Sequence, residues 1–311
     1  MSDVIYEELS FLSADGKTRV AGYVWRPAEG TPRAVIQLSH GMCEYVQRYE
    51  KWAHRFVREG FVFCGNDHLG HGNTVIEDAA LGYTAKRGGA QYLVEDLHQM
   101  TKEMKKRFPD TPLVLYGHSM GSFAARAYLS LYADELVGAL ISGTAGPEAP
   151  TGLALKLAHL IAATKGDTHR SRLLTALAFG SYNKKFEAEK DACSWLTRDR
   201  AVREVYAKDR FCSFVFTAAG YDTLFTLLNT VSNKKWANGI KKELPILLFA
   251  GEMDPVGNYG KGVREVYGRL QSAGCNVQLK LYEDARHEMH NELNRDEVFA
   301  DLVSFLKEIG V

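Results

Sequence analysis

The chain has 311 residues, 46% of them apolar, and its 38 basic and 38 acidic side chains cancel to a formal net charge of zero. That balance excludes the basic excess of a dedicated nucleic-acid binder, and the apolar content excludes a disordered chain. A chain of this length buries roughly 75% of its unfolded surface, as one large domain or two medium ones.

In chain order, the opening MSDVIYEELS is acidic and lacks the apolar h-region of a signal peptide. Val4 to Leu12 and Arg19 to Trp25 predict two strands, a hairpin turning at Ala14-Asp15-Gly16-Lys17. Ala34 to Leu38 is a short apolar strand ending at His40-Gly41. Tyr49, Trp52, Ala53, Phe56 and Val57 share one helical face. Phe61 to Cys64 is a buried strand closed by Gly65-Asn66-Asp67. Tyr92 to Phe108 is helical through Leu93, Leu97, Met100 and Met104, until Pro109 stops it. Leu113 to Tyr116 predicts a strand, Phe123 to Tyr132 a helix, and Leu136 to Ile141 a strand.

From about Gly146 to Trp236 the spacing is helical, without a clear core strand: Leu153, Leu157, Leu160 and Ile161, then Leu173, Leu174 and Leu177, Phe214 and Phe216, and Leu224, Leu227 and Leu228. The most membrane-like stretch, Leu153 to Ala163, is broken by Lys156 and His159. It is short of the roughly 20 residues a spanning helix needs. Alternation resumes with a strand at Leu244 to Ala250, a helix around Gly262 to Leu270, a strand at Val277 to Tyr282 and a helix at Glu297 to Leu306. Strands separated by helices predict an α/β fold with a mostly parallel sheet covered on both faces. The expected core is 1–145 and 237–311, with 146–236 inserted as a helical cap. The cysteines Cys43, Cys64, Cys193, Cys212 and Cys275 are scattered, with no Cys-x-x-Cys pair. They read as free thiols of a cytoplasmic protein.

Chemistry enters at Gly117-His118-Ser119-Met120-Gly121. Gly-x-Ser-x-Gly between a strand and a helix is a sharp turn that lifts a serine hydroxyl above the sheet edge. Elsewhere the same five residues are an ordinary turn with a capping serine. A serine becomes nucleophilic only when a base takes its proton, and the base needs an orienting carboxylate. In sites of this kind the chain order is Ser, then Asp or Glu, then His. Asp254 follows the Leu247 to Ala250 strand, and His287 follows the Leu279 to Tyr282 strand. Glu252 and Asp284 compete as the acid, and His290 as the base. The oxyanion donors expected are the N–H of Met120, after the nucleophile, and that of Met42, after His40-Gly41. Losing one such donor costs on the order of 10²–10³ in turnover. His287-Glu288-Met289-His290 is not His-Glu-x-x-His and offers no evident third ligand, so zinc is not expected. Asp67-His68-Leu69-Gly70-His71 suits either pocket shaping or a hydrogen-bonded loop, and Cys43 reads as a passive thiol.

Ser119, Asp254 and His287 in that order, with His40-Gly41 upstream, resemble the α/β-hydrolase superfamily. HGMCEYVQRYE, NDHLGHGNT, GHSMGS, GEMDPVG and ARHEMHNE together resemble its monoacylglycerol lipase and lysophospholipase-like group, often catalogued with proline-iminopeptidase-type serine hydrolases. The resemblance covers both core segments and only loosely the cap. It implies the α/β-hydrolase fold and a serine esterase without metal or organic cofactor. In it Ser119 is the nucleophile, His287 the base, Asp254 its orienter, and Met42 and Met120 the oxyanion hole. Two departures touch the pocket: Thr74 stands for the serine of Gly-His-Gly-x-Ser, and His290 stands where an apolar residue is expected.

The expected partner is a small acyl ester or lipid of one acyl chain, with no nucleic acid and no obligate protein partner. The cap's apolar helices suit an acyl-chain channel or a membrane-surface contact, and equally suit packing onto the core. Two rivals stand beside this reading. An aminopeptidase of the proline-iminopeptidase type needs an acidic ammonium site, for which Glu187, Glu189 and Glu204 are candidates. A non-catalytic ligand-binding protein reuses the fold without the chemistry.

Overall fold

The hairpin comes first: β1 (Val4–Leu12) and β2 (Arg19–Pro27) pair antiparallel. The structure is a computed structural model describing residues 4–147 and 151–311. Residues 1–3, which begin the acidic opening, and 148–150, within the expected insertion, lie outside the described residues. The core strands are β3 (Val35–Ser39), β4 (Val62–Asn66), β5 (Leu113–His118), β6 (Gly138–Ser142), β7 (Ile246–Gly251) and β8 (Val277–Tyr282). They form one sheet in the order β1-β2-β4-β3-β5-β6-β7-β8, parallel from β4 onward and joined antiparallel to β2.

Strand alternation divides the core into two layers. In β5, Leu113 and Leu115 enter one layer while Val114 and Tyr116 enter the other. In β7, Ile246, Leu248 and Ala250 oppose Leu247 and Phe249 in the same way. The first layer is closed by α2 (Gly89–Arg107), α3 (Met120–Tyr132) and α8 (Lys261–Ser272), the second by α1 (Glu50–Arg58) and α9 (Arg295–Glu308). Strands buried on both faces explain why the sequence reads as continuous apolar runs.

Element ends differ where backbone geometry overrides periodicity. The second helix begins at Gly89, ahead of Tyr92, because Gly88 at φ +77° supplies a left-handed turn before it. Likewise α3 reaches back to Met120, directly behind Ser119. Phe214 and Phe216 belong to no helix; they stack at 6.0 Å in irregular chain. Their spacing therefore came from packing rather than from a helical turn.

Between β6 and β7 lie α4 (Thr151–Lys165), α5 (Arg172–Phe179), α6 (Arg200–Lys208) and α7 (Ala218–Ser232), with no strand among the described residues there. Arg126 of α3 ties both roots of this segment to the sheet layer. Its guanidinium donates to Thr144 Oγ1 (3.1 Å) and Ala145 O (2.9 Å) at one root and to Val231 O (2.8 Å) at the other.

The chain steps from β3 to β4 on one side and then to β5 on the other side of β3. That reversal opens a crevice at the carboxyl ends of β3 and β5, where open α/β sheets bind their ligands. The loop at residues 40–44 and Ser119 both sit there.

Candidate active site

Ser119 stands between β5 and α3 at φ +54°, ψ −124°, a left-handed backbone that few non-glycine residues adopt. Such strain is kept only where the surroundings hold it. The turn is held by close packing of α3 onto β3. A Cβ at Gly121 would lie 2.0 Å from Ser39 O and 2.3 Å from His40 O. A Cβ at Gly41 would meet Ser119 Cβ at 2.9 Å, so the 40–44 loop presses against the serine.

Asp254 is fully buried in the turn after β7, where its Oδ1 accepts the Val256 N–H at 2.8 Å. Its Oδ2 meets His287 Nδ1 at 2.9 Å, with both groups excluded from solvent. Burial pulls the His287 pKa down, but the Asp254 charge and hydrogen bond outweigh it and the net is a rise. This pairing puts the proton on Nδ1 and leaves Nε2 as the basic nitrogen. Ser119 and His287 line the same cavity.

The competing groups lie elsewhere. Glu252 is solvent-facing and reaches Arg264 at 3.5 Å, and Asp284 is exposed. His290 is buried and stacks on Tyr49 at 4.1 Å, and burial drives its pKa down to about 3.

The Gly41–Met42 peptide is anchored on both sides. His40 Nε2 accepts the His68 N–H at 2.9 Å, so the ring proton sits on Nδ1 and is donated to Gly41 O at 2.8 Å. Burial keeps the His40 ring neutral. Holding the carbonyl turns the Met42 N–H the opposite way across the planar amide. Behind it, the Glu44 carboxylate accepts the Gly41 N–H. Met120 opens α3, so its N–H is one of those a helix leaves without an internal acceptor.

The Asp67 to His71 segment is a hydrogen-bonded loop rather than a pocket wall. Asp67 accepts from Val46 N–H (2.9 Å), Asn73 N–H (2.8 Å) and Tyr23 OH (3.0 Å), and none of the segment lines the cavity. Burial lifts the Asp67 carboxyl to about 6. Thr74 belongs to the same scaffold: its hydroxyl donates to Asp67 O at 2.7 Å and accepts the Ala21 N–H at 3.0 Å. It therefore does not shape the pocket as its motif position suggested.

The cavity has a volume of about 780 Å³, within the range of small-molecule sites. Ser119, His287 and Met42 line it together with apolar side chains, among them Leu153, Leu157, Leu177, Leu224, Phe225 and Leu228. Cys43 also borders it, buried, with its thiol on Phe214 O at 3.3 Å, and burial pushes its pKa up. None of Glu187, Glu189 and Glu204 lines the cavity, and Glu189 is gripped by Arg203 and Arg286.

Among the described residues, the acidic groups that do reach the cavity are Glu44 and Glu288, which sequence reasoning missed. With His290 their ligating atoms lie within 4.8 Å of one another. Glu44 thus supplies the third donor that the His287 to His290 motif lacked in sequence. However, the Arg48 guanidinium already bridges the two carboxylates, at 2.9 Å from Glu44 Oε2 and 2.8 Å from Glu288 Oε1. The arrangement is an arginine braced between two carboxylates, where burial lifts Glu44 to about 7 while Arg48 keeps Glu288 ionised, and the only advance signal was that Glu44 and Arg48 share the HGMCEYVQRYE motif.

A family model described as serine aminopeptidase, S33, matches residues 30–294. A monoglyceride lipase of Rattus norvegicus is 30% identical over 297 residues, covering 94% of this chain and 87% of that protein. A monoacylglycerol lipase of Mycolicibacterium smegmatis is 28% identical over 309 residues, covering 96% of each. The crystal structure of a highly thermostable carboxyl esterase from Bacillus coagulans, in complex with glycerol, matches with a TM-score of 0.92 at 30% identity. It covers 98% of this chain and 99% of that one.

Proposed function

The chain belongs to the serine aminopeptidase S33 family, and from that premise we propose that it hydrolyses carboxylic esters of single-acyl-chain lipids, monoacylglycerols foremost, through an acyl-enzyme on Ser119. The observation that carries this reading is one cavity lined by the strained Ser119, the Asp254-bound His287 and many leucine and phenylalanine side chains. The monoglyceride lipase relatives and the glycerol-bound esterase support the substrate class.

His287 Nε2 takes the Ser119 hydroxyl proton as Oγ bonds to the ester carbonyl carbon, and the carbonyl π pair moves onto oxygen. The Met42 and Met120 N–H groups receive that oxyanion. As the pair returns, the C–O bond to the alcohol breaks, and the imidazolium delivers its proton to the leaving alkoxide. Water then repeats the sequence on the acyl-enzyme and releases the fatty acid and free Ser119. Asp254 stays ionised and holds the ring.

The peptidase alternative lacks support at the cavity: among the described residues Glu44 and Glu288 are the carboxylates there, and Arg48 already pairs both. For the membrane contact, support comes from Leu153, Leu160, Leu173 and Leu177, which leave α4 and α5 exposed. No described helix is long and apolar enough to cross a bilayer. Five free thiols suit a reducing, cytoplasmic setting.

The test is a panel of monoacylglycerols, lysophospholipids, p-nitrophenyl esters and aminoacyl amides, run beside fluorophosphonate labelling. Ester hydrolysis and labelling that both vanish in Ser119→Ala support the reading. Folded wild-type protein that neither labels nor hydrolyses an ester refutes it.

A further inference from the structure

The Ser119 chemistry uses two loops that meet only in three dimensions. One carries the Met42 N–H after β3; the other carries His287 after β8. A single buried arginine joins them. Arg48 NH1 donates to Glu44 Oε2 at 2.9 Å and to Glu288 Oε1 at 2.8 Å, while NH2 donates to Glu288 Oε2 at 3.0 Å. Glu44 passes the constraint to Gly41, whose N–H it accepts, and Tyr49 OH steadies the same carboxylate at 3.0 Å. Glu288 directly follows His287 in the chain, so fixing it fixes the histidine backbone. Its own N–H donates to Leu196 O at 2.7 Å, and Arg48 lies over the Tyr206 ring at 4.8 Å. The segment between β6 and β7 therefore meets the same arginine.

We propose that Arg48 and Glu288 are positioning residues that hold the oxyanion loop and the histidine loop in one register and set the charge against which the His287 imidazolium forms. The proposal rests on the ester-hydrolase reading of Ser119. Bidentate pairing suits the role, because a guanidinium fixes a carboxylate in both distance and plane.

The groups facing His287 come from several elements: Asp254 after β7, Glu288 beside it, Glu44 from the β3 loop, and His118 at the end of β5 with its ring 4.8 Å away. His290 lies 5.2 Å beyond His118. Burial keeps His118 and His290 neutral. Burial also works against the Glu288 carboxylate, but Arg48 outweighs it and keeps the group ionised. Glu288 thus supplies a fixed negative charge beside the site where positive charge develops.

The experiment follows kcat and KM against pH on a soluble ester for four proteins. In Glu288→Gln the shape stays and the charge goes, so the acid limb of kcat/KM moves down by roughly one pH unit. Glu288→Asp and Arg48→Lys keep the charge, but the aspartate is one methylene short of the guanidinium and the lysine lacks the fork that reaches both carboxylates. Their acid limbs stay in place while kcat falls on the order of 10- to 100-fold with KM little changed, the cost of slight misplacement. An unmoved limb in Glu288→Gln, or wild-type kcat in both charge-conserving variants, overturns the proposal. If Glu288→Gln does not fold, the kcat criterion in the other two decides. Wild-type protein without ester turnover or fluorophosphonate labelling fails the underlying reading instead, and that result is distinct from an active enzyme whose variants do not respond.

Discussion

Replacing Asp254 by asparagine probes the site most sharply, because the structure dictates which way the new amide must face. Asp254 Oδ1 accepts the Val256 N–H at 2.8 Å, and Oδ2 faces His287 Nδ1 at 2.9 Å. The amide oxygen of asparagine must take the Oδ1 place, since its NH₂ group cannot accept from Val256. The NH₂ then points at Nδ1, which must become an acceptor, and the ring proton moves to Nε2. In that tautomer the histidine cannot take a proton from Ser119. A wrong-tautomer swap of this kind lowers kcat on the order of 10⁴-fold, equivalent to about 5.4 kcal/mol of barrier. The change is nearly isosteric, so the fold should persist. The assay is kcat on a p-nitrophenyl ester and the fluorophosphonate labelling rate, with circular dichroism and a melting curve to verify folding. A folded Asp254→Asn enzyme within tenfold of wild-type kcat would refute the orienting role.

Three further outcomes are expected. Because His287 is held above its ordinary value of 6.5 and must be neutral to act, kcat/KM should fall as pH drops through a midpoint above 6.5; a midpoint below that value contradicts the pairing. The same raised pKa adds folding stability that is full below the unfolded value and fades as pH rises through the folded one, which pH-dependent melting reads. Acyl selectivity should rise with chain length from acetate toward laurate, by up to about fourfold in kcat/KM per methylene buried in the cavity, from ~0.8 kcal/mol each. Equal rates across the series count against an acyl channel. Leu160 is 59% exposed on α4 and does not line the cavity. Leu160→Glu should therefore weaken flotation with monoacylglycerol-containing vesicles while leaving soluble-ester turnover unchanged, and undiminished flotation argues against a membrane-facing helix.

The legible part of this molecule follows from burial. Strands covered on both faces are nearly pure apolar runs, so Leu113 to Tyr116 and Leu247 to Ala250 stand out, and the turns after them hold Ser119 and Asp254. What stayed hidden depends on pairing across distance. Arg48 and Glu288 meet across 240 positions of chain, and nothing local to either residue signals the other. His68 is similar: beside Asp67 it suggests a pocket, yet its backbone N–H serves to fix the tautomer of His40.

The same contrast separates the reaction from its substrate. The proposed reacting groups sit at strand ends, and parallel register leaves those ends little freedom. Cavity walls come from helices, where an apolar residue has the same spelling whether it packs or lines. In α5, Leu174 is fully buried in the core, while Leu173 and Leu177 border the cavity. In α4, Ile161 packs inward and Leu157 faces the cavity. Helical periodicity assigns all of these to one amphipathic pattern, because both environments exclude water. Telling them apart requires knowing which of two apolar neighbours, protein or lipid, occupies the far side. That is a property of how the helices sit over the β3–β5 crevice, so the sequence offers candidate residues for the chemistry of this site and no measure of the length of its substrate.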